Sequence, residues 1–304
     1  MVIVGPTAVG KTALSIRLAK KYNGEIINGD SMQVYAGLDI GTAKVTEEEA
    51  EGIPHHLLDI IPVEQDYTAS DFKRDDRQAI ESILARGKLP IVVGGSGLYI
   101  EGLLFDMQFG GVAAENPDYR KQLEAELERT DAMCIWKQLQ AKDPKAAEQI
   151  HPNNSRRVIR ALEVIHFSGK RFSDQADRET APHYDALLIG LDTDRGILYD
   201  RINRRVDLMT DKGLVEEAKA LFDRKLPVKT QATRGIGYKE WFGFFNGEIT
   251  YEEATEMLKQ NSRRYAKRQL TWFRNRMSGI HWFDLVRNSH DMQKIEDLVE
   301  AFLA

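Results

Sequence analysis

Gly5, Pro6, Thr7, Ala8, Val9, Gly10, Lys11 and Thr12 fit the pattern G-x-x-x-x-G-K-[ST]. They follow the apolar run Met1–Val4 and open a helical pattern from Thr12 to Tyr22, the strand–loop–helix setting the motif requires. Glycines let backbone N–H groups turn inward around phosphate oxygens, and a helix N-terminus adds positive potential. Lys11 supplies a point charge for a terminal phosphate, and the Thr12 hydroxyl can ligate Mg²⁺, the expected cofactor. A chance glycine-rich turn is the plain alternative, and eight matching positions in context weigh against it. The chain is read as binding a di- or triphosphate.

Two further residues belong beside that loop. Asp30 follows the strand-like run Glu25–Asn28, and Ser96 follows the run Pro90–Val93 and Gly94-Gly95. In a parallel sheet, residues just beyond the carboxyl ends of the strands converge on one crevice. Gly10, Asp30 and Ser96 are therefore expected around one site, although Asp30 as a solvated turn residue is the simpler reading. No carboxylate closes the Pro90–Val93 strand, where a nucleotide-hydrolysing P-loop protein carries its Mg²⁺-positioning acid. Arg201, Arg204 and Arg205 lie on a helix starting near Asp194, and one of them is expected to reach the bound phosphates.

A second chemistry is written in the basic residues. Arg263, Arg264, Lys267, Arg268, Thr271 and Arg274 recur at three- and four-residue intervals, hence along one helical face. Ala266, Leu270, Phe273 and Met277 fall on another face, and Tyr265 and Trp272 sit beside the cations as stacking surfaces. No acid interrupts the stretch from Gln260 to Met277. A second cluster, Arg156, Arg157 and Arg160, precedes Lys170-Arg171. A basic helical face is commonly no more than solvated surface. Two of them beside a phosphate site point to a polyanionic second substrate. His55, His56 and Asp59 suggest a metal only weakly, since adjacent histidines point apart, and Cys134 beside Ile135 and Trp136 reads as core.

These residues need a scaffold, and the first hundred positions supply strands alternating with helices. The strands are Met1–Val4, Glu25–Asn28 and Pro90–Val93. The helices are Thr12–Tyr22 and Ser70–Ala85, the latter with Phe72, Ile80 and Leu84 inward. That order implies an α/β fold with a parallel sheet. From about Gly111 to residue 182 the pattern is charged and helical, beginning at Asn116-Pro117. Ala186–Leu191 resumes the strands and Asp192–Asp194 caps a helix carrying Leu198, Ile202, Val206 and Met209. The predicted organisation is a core of 1–110 and 183–304 with a helical insertion at 111–182.

Composition sets the outer limits. The 304 residues are 42% hydrophobic and 29% charged, which gives ample core and excludes global disorder. Net charge is −5, so any polyanion must meet a local patch rather than the whole surface. One cysteine excludes an internal disulfide and a multi-cysteine zinc site. The longest apolar runs fall short of a membrane span, and the start leaves no room for a secretion signal, so a cytoplasmic chain, taken as a monomer, is expected.

Eight strings, in order, resemble the tRNA dimethylallyltransferase family of bacterial type: GPTAVGKT from Gly5, DSMQVY from Asp30, GTAK from Gly41, HHLLD from His55, GGSGLY from Gly94, RVIRALE from Arg157, RGIGYKE from Arg234 and KRQLTWFR from Lys267. The resemblance implies a nucleoside-kinase-like P-loop core and a helical insertion that grips the anticodon stem-loop. It implies transfer of a dimethylallyl group from dimethylallyl diphosphate to N6 of adenosine 37, in tRNAs reading codons that begin with U. It also implies that the P-loop holds the prenyl diphosphate rather than ATP. By resemblance Asp30 is the base, Ser96, where Thr is commoner in the family, orients amine or phosphate, and Lys11 with Arg201 or Arg205 neutralises the leaving group. The same pattern carries tRNA contacts onto Asp30, Ser31, Met32 and Gln33, with Gln33 suited to an adenine edge. It extends them to Arg156, Arg157, Val158, Ile159 and Arg160, and to Arg234, Gly235, Ile236, Gly237, Tyr238 and Lys239. The last run is Lys267, Arg268, Gln269, Leu270, Thr271, Trp272, Phe273 and Arg274. A small-molecule kinase and a non-catalytic RNA-binding module are the competing readings.

Overall fold

In the computed structural model, which describes residues 1–107, 117–174, 182–226 and 230–304, the run Val2–Val4 forms strand β1 with every side chain buried. Successive strand residues point to opposite faces, so consecutive buried positions mean a sheet covered on both sides. Helix α1 (Lys11–Lys21), strand β2 (Gly24–Asn28), the short helix α2 (Glu47–Ala50) and strand β3 (His55–His56) follow. Helix α3 (Ala69–Ala85), strand β4 (Leu89–Gly94) and helix α4 (Gly97–Leu104) come next. Helices α5 (Pro117–Arg129), α6 (Ala132–Lys142), α7 (Pro144–Gln149) and α8 (Ser155–Ser168) precede strand β5 (Leu188–Leu191). Helices α9 (Arg195–Asp211), α10 (Leu214–Asp223), α11 (Lys239–Phe245) and α12 (Tyr251–Arg276) lead to strand β6 (Ile280–Phe283) and helix α13 (Asp291–Leu303).

The six strands pair in parallel in the order β3-β2-β4-β1-β5-β6. The strand bearing the phosphate loop thus lies between β4 and β5, with β2 one place further. Caps explain where the flanking helices begin. The Asp194 carboxylate accepts from the N–H groups of Gly196 and Ile197, at 2.8 and 3.3 Å, and Thr68 forms a reciprocal capping box with Asp71 at the start of α3. The chain divides into two compact units, Met1–Leu104 with His183–Ala304, and Phe105–Pro182. The first has a core joining Ile3, Leu14, Leu18, Ile91, Ile189, Leu198, Ala266 and Ile295. The second is all-helical among its described residues, built around Ile135, Leu139, Val158 and Leu162, with Arg120 forked onto the buried Glu163 carboxylate through two 2.7 Å bonds. The change of character near Gly111 and the helix start at Asn116 lie outside the described residues.

Two expectations need correcting. Leu84 is 56% exposed, because the inner stripe of α3 runs Phe72, Asp76, Ile80 and Ile83 and turns Leu84 to the outside. Cys134 is only half-buried: it lies in the first turn of α6, its N–H held by Asp131, while Ile135 and Leu139 fill the core. Among the described residues no helix is long and apolar enough to cross a membrane.

The ends of β2 and β4 approach closely. The Gly29 N–H donates to Val93 O at 2.8 Å, and a Cβ on Gly94 would collide with the Gly29 backbone. Gly94→Ala is therefore expected to cost about 1–3 kcal/mol as overpacking, read as a melting temperature lower by roughly 2–10 °C. An unchanged melting temperature would show that the two loops part without penalty.

Candidate active site

The phosphate loop leaves β1 and closes on the first turn of α1. Lys11 Nζ folds back to donate to Pro6 O at 2.7 Å. Burial lowers its pKa to about 8, with the Arg205 charge adding to that effect and Asp30 opposing it. Ala8 adopts a left-handed backbone, φ 64°, and its carbonyl accepts from Arg201 Nε at 2.8 Å. Of the three arginines left open by sequence, Arg201 grips the loop through its Nε and Arg205 shares the field of Lys11 and Asp30, whereas Arg204 is exposed on another face of α9. Arg201 and Arg205 are one helical turn apart on α9, hence on one face.

Asp30 lies just past β2. Asn28 fixes the turn: its Oδ1 accepts from Asp30 N–H at 2.9 Å and its Nδ2 donates to Asp30 O at 3.0 Å. The Asp30 carboxylate accepts from Met32 N–H at 2.9 Å. Burial pushes its pKa up, against the pull of that N–H and of the charges on Lys11 and Arg205. Ser96 N–H donates to Gly29 O at 3.2 Å, and Ser96 Oγ accepts from Ser31 N–H at 3.0 Å. Asp30, Ser96, Lys11 and Arg205 therefore converge. The Tyr265 hydroxyl lies in the same field, its pKa pushed up by burial and by Asp30.

The runs expected to face RNA divide into exposed and buried positions. Arg156 and Arg157 are exposed on α8, but Val158 and Ile159 are core, and Arg160 lies 3.6 Å from Glu163. Arg234 and Lys239 are exposed and Ile236 is half-buried, whereas Gly235, Gly237 and Tyr238 are buried. On α12, Lys267, Arg268, Thr271 and Arg274 are exposed, Leu270 and Trp272 half-buried, and Gln269 and Phe273 inside. Trp272 packs against the Gly97 backbone under the Arg276 guanidinium, so its ring is not a free stacking surface. Arg263 pairs with Glu256, Arg274 with Asp192 and Arg276 with Glu101. Arg264, Lys267 and Arg268 have no carboxylate partner among the described residues. Gln33 donates from its amide to the carbonyls of Thr42 and Ala43, so this donor braces a loop instead of reading a base edge. His56 bonds to Glu25 at 2.6 Å, His55 to Ile53 O at 2.8 Å, and Asp59 pairs with Lys44; the three do not converge on one point.

Sequence reasoning missed two supports. Glu217 accepts from the N–H groups of Asp39, Ile40 and Gly41 at 2.8–2.9 Å and from the Tyr238 hydroxyl at 2.6 Å. It lies about 180 residues away in the chain, and no local pattern announces it. Gln269, expected to contact RNA with the rest of its run, instead joins the phosphate loop to the loop after β4, and that role was findable: it falls three residues after Ala266 and four before Phe273, a polar side chain on the inward stripe.

Comparison with known proteins identifies the relatives of this chain. The family model described as IPP transferase matches residues 33–276. A tRNA dimethylallyltransferase of Enterococcus faecalis is 54% identical over 304 residues, all of this chain and 97% of the relative. The crystal structure of the full-length tRNA isopentenylpyrophosphate transferase from Bacillus halodurans superposes with a TM-score of 0.74 at 47% identity, covering 99% of this chain and 95% of that one. A eukaryotic dimethylallyltransferase acting on tRNA gives 0.80 at 37% identity, covering 93% and 73%.

The lowered Lys11 pKa fixes a pH response. Below about 8 the ammonium is present and available to an anion; above it, affinity for inorganic diphosphate should fall, approaching tenfold per pH unit. Lys11→Arg, whose guanidinium stays charged, should flatten that decline. Calorimetric titration from pH 7 to 9.5 measures both, and equal slopes would remove Lys11 as the source.

Proposed function

The chain belongs to the IPP transferase family, and from that membership and the chemistry of the pocket we infer that it transfers a dimethylallyl group to tRNA. The finer reading is transfer from dimethylallyl diphosphate to N6 of adenosine 37, in tRNAs reading codons that begin with U, by a cytoplasmic monomer. The observation that carries it is a carboxylate, Asp30, half-buried within the electrostatic field of two half-buried cations, Lys11 and Arg205.

An adenine N6 amine is a poor nucleophile because its lone pair is delocalised into the ring. As N6 bonds to the allylic carbon and the carbon–oxygen bond to diphosphate breaks, Asp30 takes the N6 proton. Lys11, Arg205 and the N–H groups of the phosphate loop meet the charge on the departing diphosphate. Arg201 holds the Ala8 carbonyl and with it the loop's shape. Reaching N6 requires the base to leave its stack, at a cost of a few kcal/mol. Arg156, Arg157, Arg234, Lys239, Arg264, Lys267 and Arg268, all exposed, are suited to the RNA backbone.

Mg²⁺ fits on the donor chemistry. Among the described residues there is no cluster of three or more His, Cys, Asp or Glu side chains to cage an ion, and Mg²⁺ is commonly held by one protein oxygen, water and substrate phosphates. Thr12 would provide the protein ligand, and the bound ion would offset diphosphate charge.

A P-loop kinase using ATP is the weaker reading, since the relatives are named for alkyl transfer. Incubation with labelled dimethylallyl diphosphate and unmodified tRNA should place label in the RNA; phosphate transfer from ATP without such labelling would overturn the assignment. Asp30→Asn should lower the transfer rate about 10²–10⁴-fold, with tRNA affinity kept. Because the Asp30 pKa is raised and the base must be ionised, the acid limb of kcat/KM should lie above the ordinary carboxylate range. Lys267→Ala or Arg268→Ala should each reduce the salt slope of tRNA affinity by about one unit. An unaltered slope would take α12 out of the interface.

A further inference from the structure

Gln269 is 4% exposed on the inner face of α12. Its Oε1 accepts from the Thr7 N–H at 3.0 Å, and its Nε2 donates to the Gly95 carbonyl at 3.1 Å. One side-chain amide thus spans the phosphate loop and the loop that carries Ser96. The fit is close, since a Cβ on Gly95 would fall on Nε2. The position demands a neutral group with donor and acceptor at the same reach. An apolar side chain would leave a buried N–H and a buried carbonyl unpaired. A carboxylate would face the Gly95 oxygen and repel a bound anion. By engaging the Thr7 N–H, Gln269 also decides which loop N–H groups remain to turn toward phosphate.

We propose that Gln269 is a positioning residue that sets the spacing between the diphosphate cradle and the Ser96 loop, from beneath the RNA-facing side of α12 and without touching RNA. The proposal rests on the reading of this pocket as the prenyl diphosphate site. Wild type, Gln269→Met and Gln269→Glu are titrated with inorganic diphosphate from pH 5.5 to 7.5, and tRNA binding is measured on each. Gln269→Met meets the same ligand, Asp30, Lys11, Arg205 and Tyr265 without adding a carboxylate, so the difference between the two variants at each pH isolates the acid at 269.

Gln269→Met should bind diphosphate roughly tenfold or more weakly at every pH. Gln269→Glu should be equally weak at pH 7.5 and recover to about threefold of wild type at pH 5.5, because the neutral acid both accepts from Thr7 and donates to Gly95. Both should hold tRNA within about twofold, each lost hydrogen bond being remote from it. Diphosphate affinity unchanged in both variants, a Gln269→Glu defect that does not vary with pH, or a loss confined to tRNA would overturn the proposal. If Gln269→Met does not fold, the pH response of Gln269→Glu decides alone. Wild type that fails to bind diphosphate would instead overturn the pocket assignment itself.

Discussion

Two cations and one carboxylate, Lys11, Arg205 and Asp30, meet half-buried beside the strand ends, and much of the surrounding architecture holds them there. Burial lowers the pKa of both Lys11 and Arg205, the Arg205 charge lowers Lys11 further and Arg201 lowers Arg205, while Asp30 opposes the shift in both and Glu49 opposes it in Arg205. Buried charge of one sign is costly without partners. A pocket so composed favours the arrival of an anion with more than one negative charge. The same shelter that depresses Lys11 raises Asp30, so a single desolvated environment prepares a cradle and a base together.

Three strand ends and two helices hold those groups in place, α9 carrying Arg205 and, one turn earlier, Arg201. β1 delivers the phosphate loop, β2 delivers Asp30 through the Asn28 turn, and β4 delivers Ser96 past the close approach of Gly94 to Gly29. α12 serves two purposes on two faces. Outside it presents Arg264, Lys267 and Arg268, and inside it presents Gln269 to the loops. Its other cations, Lys259, Arg263, Arg274 and Arg276, pair with Asp207, Glu256, Asp192 and Glu101.

Much of this was legible beforehand for a definite reason. The phosphate loop, Asp30 and Ser96 are read from strand ends, and strand ends in a parallel sheet share one edge, so local pattern translates into proximity. Helix faces were less legible. Leu84 and Cys134 looked apolar enough for a core, but the buried stripe of α3 includes Asp76, and α6 turns Ile135 rather than Cys134 inward. Runs shared with a family also mix roles: Tyr238 and Phe273 lie within strings that resemblance assigned to RNA, and both are fully buried supports. Gln33 was expected to read a base, yet its amide spans to carbonyls nine and ten residues on, a contact no periodicity announces.

The Glu217 clasp has a consequence for how such chains diversify. The segment that follows Asp30 keeps its shape through a carboxylate on α10 and a hydroxyl just before α11, each nearly the whole length of the core away in sequence. An exchange of amino-terminal halves between relatives would bring in a new loop while retaining the old clasp. Inheritance at this site is therefore by matched pairs of distant segments, and a hybrid that respects only the continuous phosphate-loop stretch carries a loop whose fastening belongs to another protein.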